Sequence, residues 1–238
     1  MTTFRDRGVV LRTYKLGESD RIVVIMTREH GKIRAVAKGV RKTKSKIGAR
    51  LEPMSHVDVL MNKGRELDVV NQVEVIDASP SLHGDLERMS QAISMCEAVD
   101  LVSQDRQPSP HLYEMLVGAL RTLEDRPAPL LLAGFFLKLL AAEGVGPQVA
   151  SCVSCGGVEH LDHFDFHAGG VQCRSCATGI RVEPGVVEAL QEILGGRLRT
   201  ALDRPESPAT SATTSLATRL IEHHLERRLK SSVMFGST

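Results

Sequence analysis

Two periodicities divide this chain. Up to about residue 77, apolar residues fall in short, β-rich runs that alternate with polar ones. Beyond it they return every three or four positions. The first pattern predicts strands at Gly8–Leu11, Arg21–Met26, Lys32–Ala37, His56–Met61 and Leu67–Ile76, with Gly31 closing the turn into the third. Five short strands suit a small closed barrel. An OB-fold is the obvious candidate, and strand count alone leaves an SH3-like barrel open.

Asp77-Ala78-Ser79-Pro80 carries both turn and helix-start signals, which sets the expected domains at 1–79 and 80–238. Leu86, Met89, Ile93, Cys96 and Val99 then share one helical face, so Cys96 reads as core. A second helix after Pro110 turns Leu112, Met115, Leu116, Leu120 and Leu123 inward. The run LLLAGFFLKLLAA, apolar on every side, predicts a central buried helix with Phe135 and Phe136 as packing. Pro184 opens a further helix that Gly195-Gly196 ends. Residues 203–215 (DRPESPATSATTS) lack apolar periodicity and predict a flexible loop, with a last helix over 216–230 ending in Arg227, Arg228 and Lys230. The fold class is therefore α+β: a five-stranded barrel, then an all-helical domain.

Charge sharpens this division. The formal net charge is only +1, yet residues 1–52 hold 14 Lys and Arg against 5 Asp and Glu. Eight of those cations (Lys32, Arg34, Lys38, Arg41, Lys42, Lys44, Lys46 and Arg50) fall in nineteen residues with no acid among them. Such a run repels itself unless an anion sits on it. It begins on an alternating strand and continues into a polar loop, a form suited to a phosphate backbone. A solvated surface run is the alternative.

Within the helical part, residues 149–180 stand apart. Cys152-x2-Cys155 and Cys173-x2-Cys176 are separated by seventeen residues, with Gly156-Gly157 and Gly169-Gly170 beside them. Each pair can place two thiolates at adjacent corners of a tetrahedron, so the spacing predicts a four-cysteine zinc site. Four thiolates close the shell, which makes the Zn2+ structural. A disulfide and unliganded thiols are the competing readings; the disulfide is disfavoured by the cytosolic location expected from MTTFRDRG and the lack of any 18-residue apolar run. His160, His163, His167, His223 and His224 read as surface or core residues rather than ligands.

Phosphate-binding loops, metalloprotease motifs and nucleophile elbows are absent from the sequence, so an enzyme is not expected. Aromatic residues are scarce: the barrel region has only Phe4 and Tyr14. Binding of nucleic acid there should rely mainly on phosphates and leave base edges free to pair.

RGVVLRTYKLGESDRIVVIMTREHGKIRAVAKGVRK, the LEP at 51–53, CVSCGG and VQCRSC together resemble the bacterial recombination mediator RecO family, over nearly the whole chain. The resemblance implies an N-terminal OB-fold, a helical C-terminal domain carrying the zinc module, and a non-enzymatic role in the cytoplasm, associated with the nucleoid. It implies binding of single- and double-stranded DNA, strand annealing, and cooperation with RecR in helping RecA replace single-strand-binding protein. It also implies that the tail of single-strand-binding protein docks on the helical domain. Lys32, Arg34, Lys38, Arg41 and Lys42 match in position and type the basic OB-fold residues to which family DNA binding is attributed. Some members lack part or all of the cysteine set; this chain retains all four. Two rivals stand beside this reading: a zinc-ribbon protein-interaction module and a zinc-dependent nucleic-acid enzyme.

Overall fold

The computed structural model describes residues 2–41, 45 and 47–231. Contacts divide the chain into two compact units: Met1–Arg126 with the segment that begins at Leu229, and Pro127–Arg228.

In the first unit, β1 (Thr3–Leu16), β2 (Asp20–Thr27), β3 (Gly31–Ala37), β4 (His56–Asn62) and β5 (Asp68–Asp77) form a closed barrel in the order β1-β2-β3-β5-β4. Only the β3–β5 pairing is parallel. This is the OB-like barrel anticipated from the alternation. Val10, Val23, Ile25, Ile33, Ala35, Val57, Val59, Met61 and Val73 fill its interior, and β-branched side chains at every second position suit that pleated, one-sided burial.

One departure from strict alternation has consequences. Val10 pairs with Ile25 but Arg12 pairs with Val24, so Leu11 is the extra residue of a bulge. Such a residue shifts the side-chain parity of everything after it. Val10 points inward, and Arg12 and Tyr14, which unbroken alternation would send the same way, lie outside with Val24 and Ile22.

Three helices complete this unit: α1 (Pro80–Gly84), α2 (Leu86–Val102) and α3 (Pro110–Asp125). The Asp85 carboxylate caps α2 by accepting from the Glu87 and Arg88 amides. Helices α2 and α3 pack on β1 and β2 and accompany the burial of Val9, Val24 and Met26, which face out of the barrel. The buried face of α2 is Ala92, Met95, Cys96, Ala98 and Val99; Leu86, expected on it, is exposed. The loop between α2 and α3 is strapped to the start of β3. Arg106 N–H donates to the Lys32 carbonyl (2.8 Å), and its guanidinium reaches the fully buried Asp68 (2.7 Å). Gly31, at φ 71°, permits this approach, because a Cβ there would collide with the Gln107 carbonyl.

The second unit holds α4 (Leu131–Ala142), a small sheet of β6 (Leu161–Asp165), β7 (Gly170–Cys173) and β8 (Ile180–Arg181), then α5 (Val186–Leu194), α6 (Leu198–Leu202) and α7 (Pro208–His224). Helix α4 is the buried centre, with Phe135 and Phe136 in the core. The expected loop over 203–215 is wrong for most of its length: α7 starts at Pro208. Ser207 and Thr210 form a reciprocal capping box, and Thr210 and Thr213 are buried. The hydroxyl of Thr213 donates to the Ala209 carbonyl (2.7 Å) and that of Thr214 to the Pro129 carbonyl (3.3 Å). Threonines satisfied in this way act as core residues while looking polar in sequence. The helix also ends at His224 rather than 230, and α5 begins at Val186, after a left-handed Gly185, rather than at Pro184. Among the described residues, no helix is long and apolar enough to cross a membrane.

Candidate nucleic-acid interface and metal centre

On β3 the alternation resolves cleanly: Gly31, Ile33, Ala35 and Ala37 are buried, while Lys32, Arg34 and Val36 face outward. The two cations of that strand have different surroundings. The Lys32 side chain is 12% exposed; its ammonium donates to the Asp100 carbonyl (2.7 Å) and faces the Asp100 and Asp105 carboxylates at 3.5 and 3.4 Å. Asp100 lies on α2 with its side chain buried, and it also accepts from Arg12 Nε at 2.5 Å. Lys32 thus belongs to an ionic cluster, centred on the buried Asp100, that fastens α2 to the barrel. Arg34, two residues on, is exposed, and so is Lys38 in the turn after β3. Neither has an ion-pair partner among the described residues.

Arg41 is exposed, with its guanidinium on the Gly17 carbonyl (2.9 Å) and its amide on Ser19 (3.0 Å), so the basic loop leaves beside the β1–β2 turn. Arg50 lies on a short 3-10 turn, Gly48–Leu51, and donates to the Val73 carbonyl of β5 (2.8 Å). Arg41 is thereby tied to the β1–β2 turn and Arg50 to β5. Lys42, Lys44 and Lys46 lie outside the described residues.

The four cysteines of the second unit come together. Their sulfurs all lie within 4.8 Å of one another, and Cys155 and Cys173 are 3.8 Å apart. Thiolates about 2.3 Å from a shared tetrahedral zinc sit at about that separation, so the donor set and its spacing fit the ion. The first knuckle is closed by Cys152 N–H on the Gly157 carbonyl and Gly156 N–H on the Cys152 carbonyl, both at 2.8 Å. Gly156 takes the positive φ of 74° that this reversal needs.

Proton affinities differ across the cluster. Backbone donation from Cys173, with help from Cys155 and Ser154, draws the Cys152 thiol down to about 6. Hydrogen bonding with Cys173 and Cys155 pushes Cys176 up to about 12. Four thiolates so close together require a cation to offset their repulsion.

Sequence reasoning missed the residue that joins the two knuckles. Gln172 is buried, and its amide nitrogen donates to Thr178 Oγ1 (2.9 Å) and Ser154 Oγ (3.3 Å). Its carbonyl oxygen accepts from the Thr178 and Gly179 amides, each at 3.0 Å. Asp165 accepts from the same threonine hydroxyl (2.8 Å) and from the His167 and Ala168 amides at the β6–β7 turn. A glutamine between two CxxC pairs carries no signal by type; its role follows from burial. None of the histidines joins the cysteine cluster: His163 is paired with Asp162 (2.8 Å) and His167 stacks edgewise on His223.

Two family models match the chain. One, described as Recombination protein O N terminal, covers residues 1–79, which takes in the whole barrel. The other, described as Recombination protein O C terminal, covers residues 83–232, including the four cysteines.

Proposed function

The chain belongs to the recombination protein O family, and on that premise we propose that it binds single- and double-stranded DNA and anneals complementary strands. In the same reading it works with RecR to help RecA displace single-strand-binding protein. The observation that carries this is the pair of exposed cations, Arg34 and Lys38, on and just beyond the outer face of β3. Annealing is opposed by repulsion between two polyanions, and a cationic face lowers it by replacing condensed counterions. Arg41 and Arg50 belong to the proposed contact set, as do Lys42, Lys44 and Lys46. Lys32 belongs to it by sequence, but in this fold its principal role is to hold Asp100.

Zinc is the proposed ion for Cys152, Cys155, Cys173 and Cys176. Bound by all four, it would stabilise the fold of its module and offer no open position for catalysis, which supports a binding rather than a catalytic protein. The proposed domains are 1–79 and 80–238, with the metal module inserted at 149–180. A cytoplasmic, nucleoid-associated location follows from the proposed partners, as does docking of the single-strand-binding protein tail on the helical part.

The test is annealing of complementary oligonucleotides coated with single-strand-binding protein, followed by fluorescence quenching. The reading predicts much faster duplex formation with the protein than without; an unchanged rate would overturn it.

A further inference from the structure

The bulge at Leu11 brings a set of side chains to the barrel's outer face that strand alternation alone conceals. Reading across the pairings, Tyr14 stands beside Ile22 and Ile22 beside Val36. Adjacent strands are about 4.8 Å apart, so this row is roughly 10 Å wide. Tyr14 is 37% exposed and Leu16 is 38% exposed; Ile22 and Val36 are partly exposed. Helices α2 and α3 pack against this sheet, where Val24 and Met26 are buried, yet the row remains open. The next row along the strands, about 6.8 Å away, is Arg12, Val24 and Arg34. Lys38 follows β3 on the other side.

The tyrosine is also held in place. The Arg12 guanidinium lies 4.7 Å over its ring, and Arg12 is itself fixed by the buried carboxylate of Asp100. Phe4, the other aromatic residue of the barrel, packs into the core and against His30.

We infer that Tyr14, with the Arg12 guanidinium and the Ile22–Val36 strip, is a stacking platform for an unpaired nucleobase whose neighbouring phosphates lie on Arg34 and Lys38. This rests on the DNA-binding reading and refines it. An apolar, π-bearing strip between cations complements a single strand, which offers exposed base faces between phosphates. A duplex keeps its base faces stacked inside and gains nothing from such a strip. A platform about one base wide grips a strand by a face and leaves its pairing edge free, as annealing requires.

The test compares the full-length protein with Tyr14→Ala and Tyr14→Phe by fluorescence anisotropy. The probes are oligo-dT, an abasic oligonucleotide of equal length, and a duplex. One lost base stack weakens binding roughly five- to hundred-fold. Tyr14→Ala should show that loss on oligo-dT and less than about a two-fold change on duplex, while Tyr14→Phe retains affinity. The unmodified protein should bind the abasic strand as weakly as Tyr14→Ala binds oligo-dT. Salt-sensitive binding that is equal on oligo-dT and abasic strands, and unchanged by Tyr14→Ala, would overturn the platform but leave phosphate binding intact. Failure of the unmodified protein to bind any probe would overturn the DNA-binding reading, and the platform with it.

Discussion

Lys32 and Arg34 stand two residues apart on one strand face, and replacing each by alanine should have opposite consequences. Lys32→Ala removes an ammonium that contacts Asp100 and Asp105 and leaves the buried Asp100 with Arg12 alone. Breaking a buried ion pair costs about 3–5 kcal/mol, and the surviving Arg12 contact brings the expected loss to about 2–3 kcal/mol. For a chain of this size that corresponds to a fall in Tm of about 5–10 °C. Arg34→Ala removes an exposed side chain with no ion-pair partner among the described residues and should change stability by no more than about 0.5 kcal/mol. It should instead remove one phosphate contact, flattening the slope of log affinity for single-stranded DNA against log salt by about 0.7. Thermal melts and salt titrations of anisotropy on both variants decide the matter. A Lys32→Ala protein that melts like the parent but loses as much salt slope as Arg34→Ala would refute the division of roles.

Three further outcomes follow from the geometry. Cys152→Ser should lose the bound metal, seen by inductively coupled plasma analysis, and make the second unit protease-sensitive. In the unaltered protein, metal affinity should fall with falling pH, because thiols must release protons to bind; undiminished zinc content at pH 5 would contradict four-thiolate ligation. In the first unit, His56 is buried on Tyr113 (2.7 Å), and desolvation, then the Arg121 charge, lower its pKa below the ordinary 6.5. The unfolded chain therefore binds this proton more readily than the folded one. Stability is full above about pH 7 and declines as pH falls through 6.5, levelling only below the depressed folded value. Denaturant midpoints should show that decline, and His56→Gln should reduce it; an identical pH dependence in the variant would exclude His56 as its source.

The sequence disclosed what depends on local pattern. Alternation sufficed for the barrel because each strand buries one face, and cysteine spacing sufficed for the cluster because two CxxC knuckles have few other uses. What stayed hidden depends on partners far along the chain. Nothing local separates Lys32 from Arg34; Asp100, 68 residues away, makes the difference. The bulge at Leu11 leaves the residue types of β1 unchanged while reversing the direction of Tyr14. Helix α7 escaped because its buried threonines, Thr210 and Thr213, meet their hydrogen-bonding needs on the Ser207 and Ala209 carbonyls. Gln172 escaped because an amide becomes a tie only once both knuckles are folded around it.

The proposed annealing role depends on positive charge displayed by the barrel. The most direct measurement is the annealing rate of protein-coated complementary strands with the double charge reversal Arg34→Glu/Lys38→Glu, in a variant shown to melt at the parent's temperature. The account predicts a rate close to that without protein; a rate equal to the parent's would contradict it.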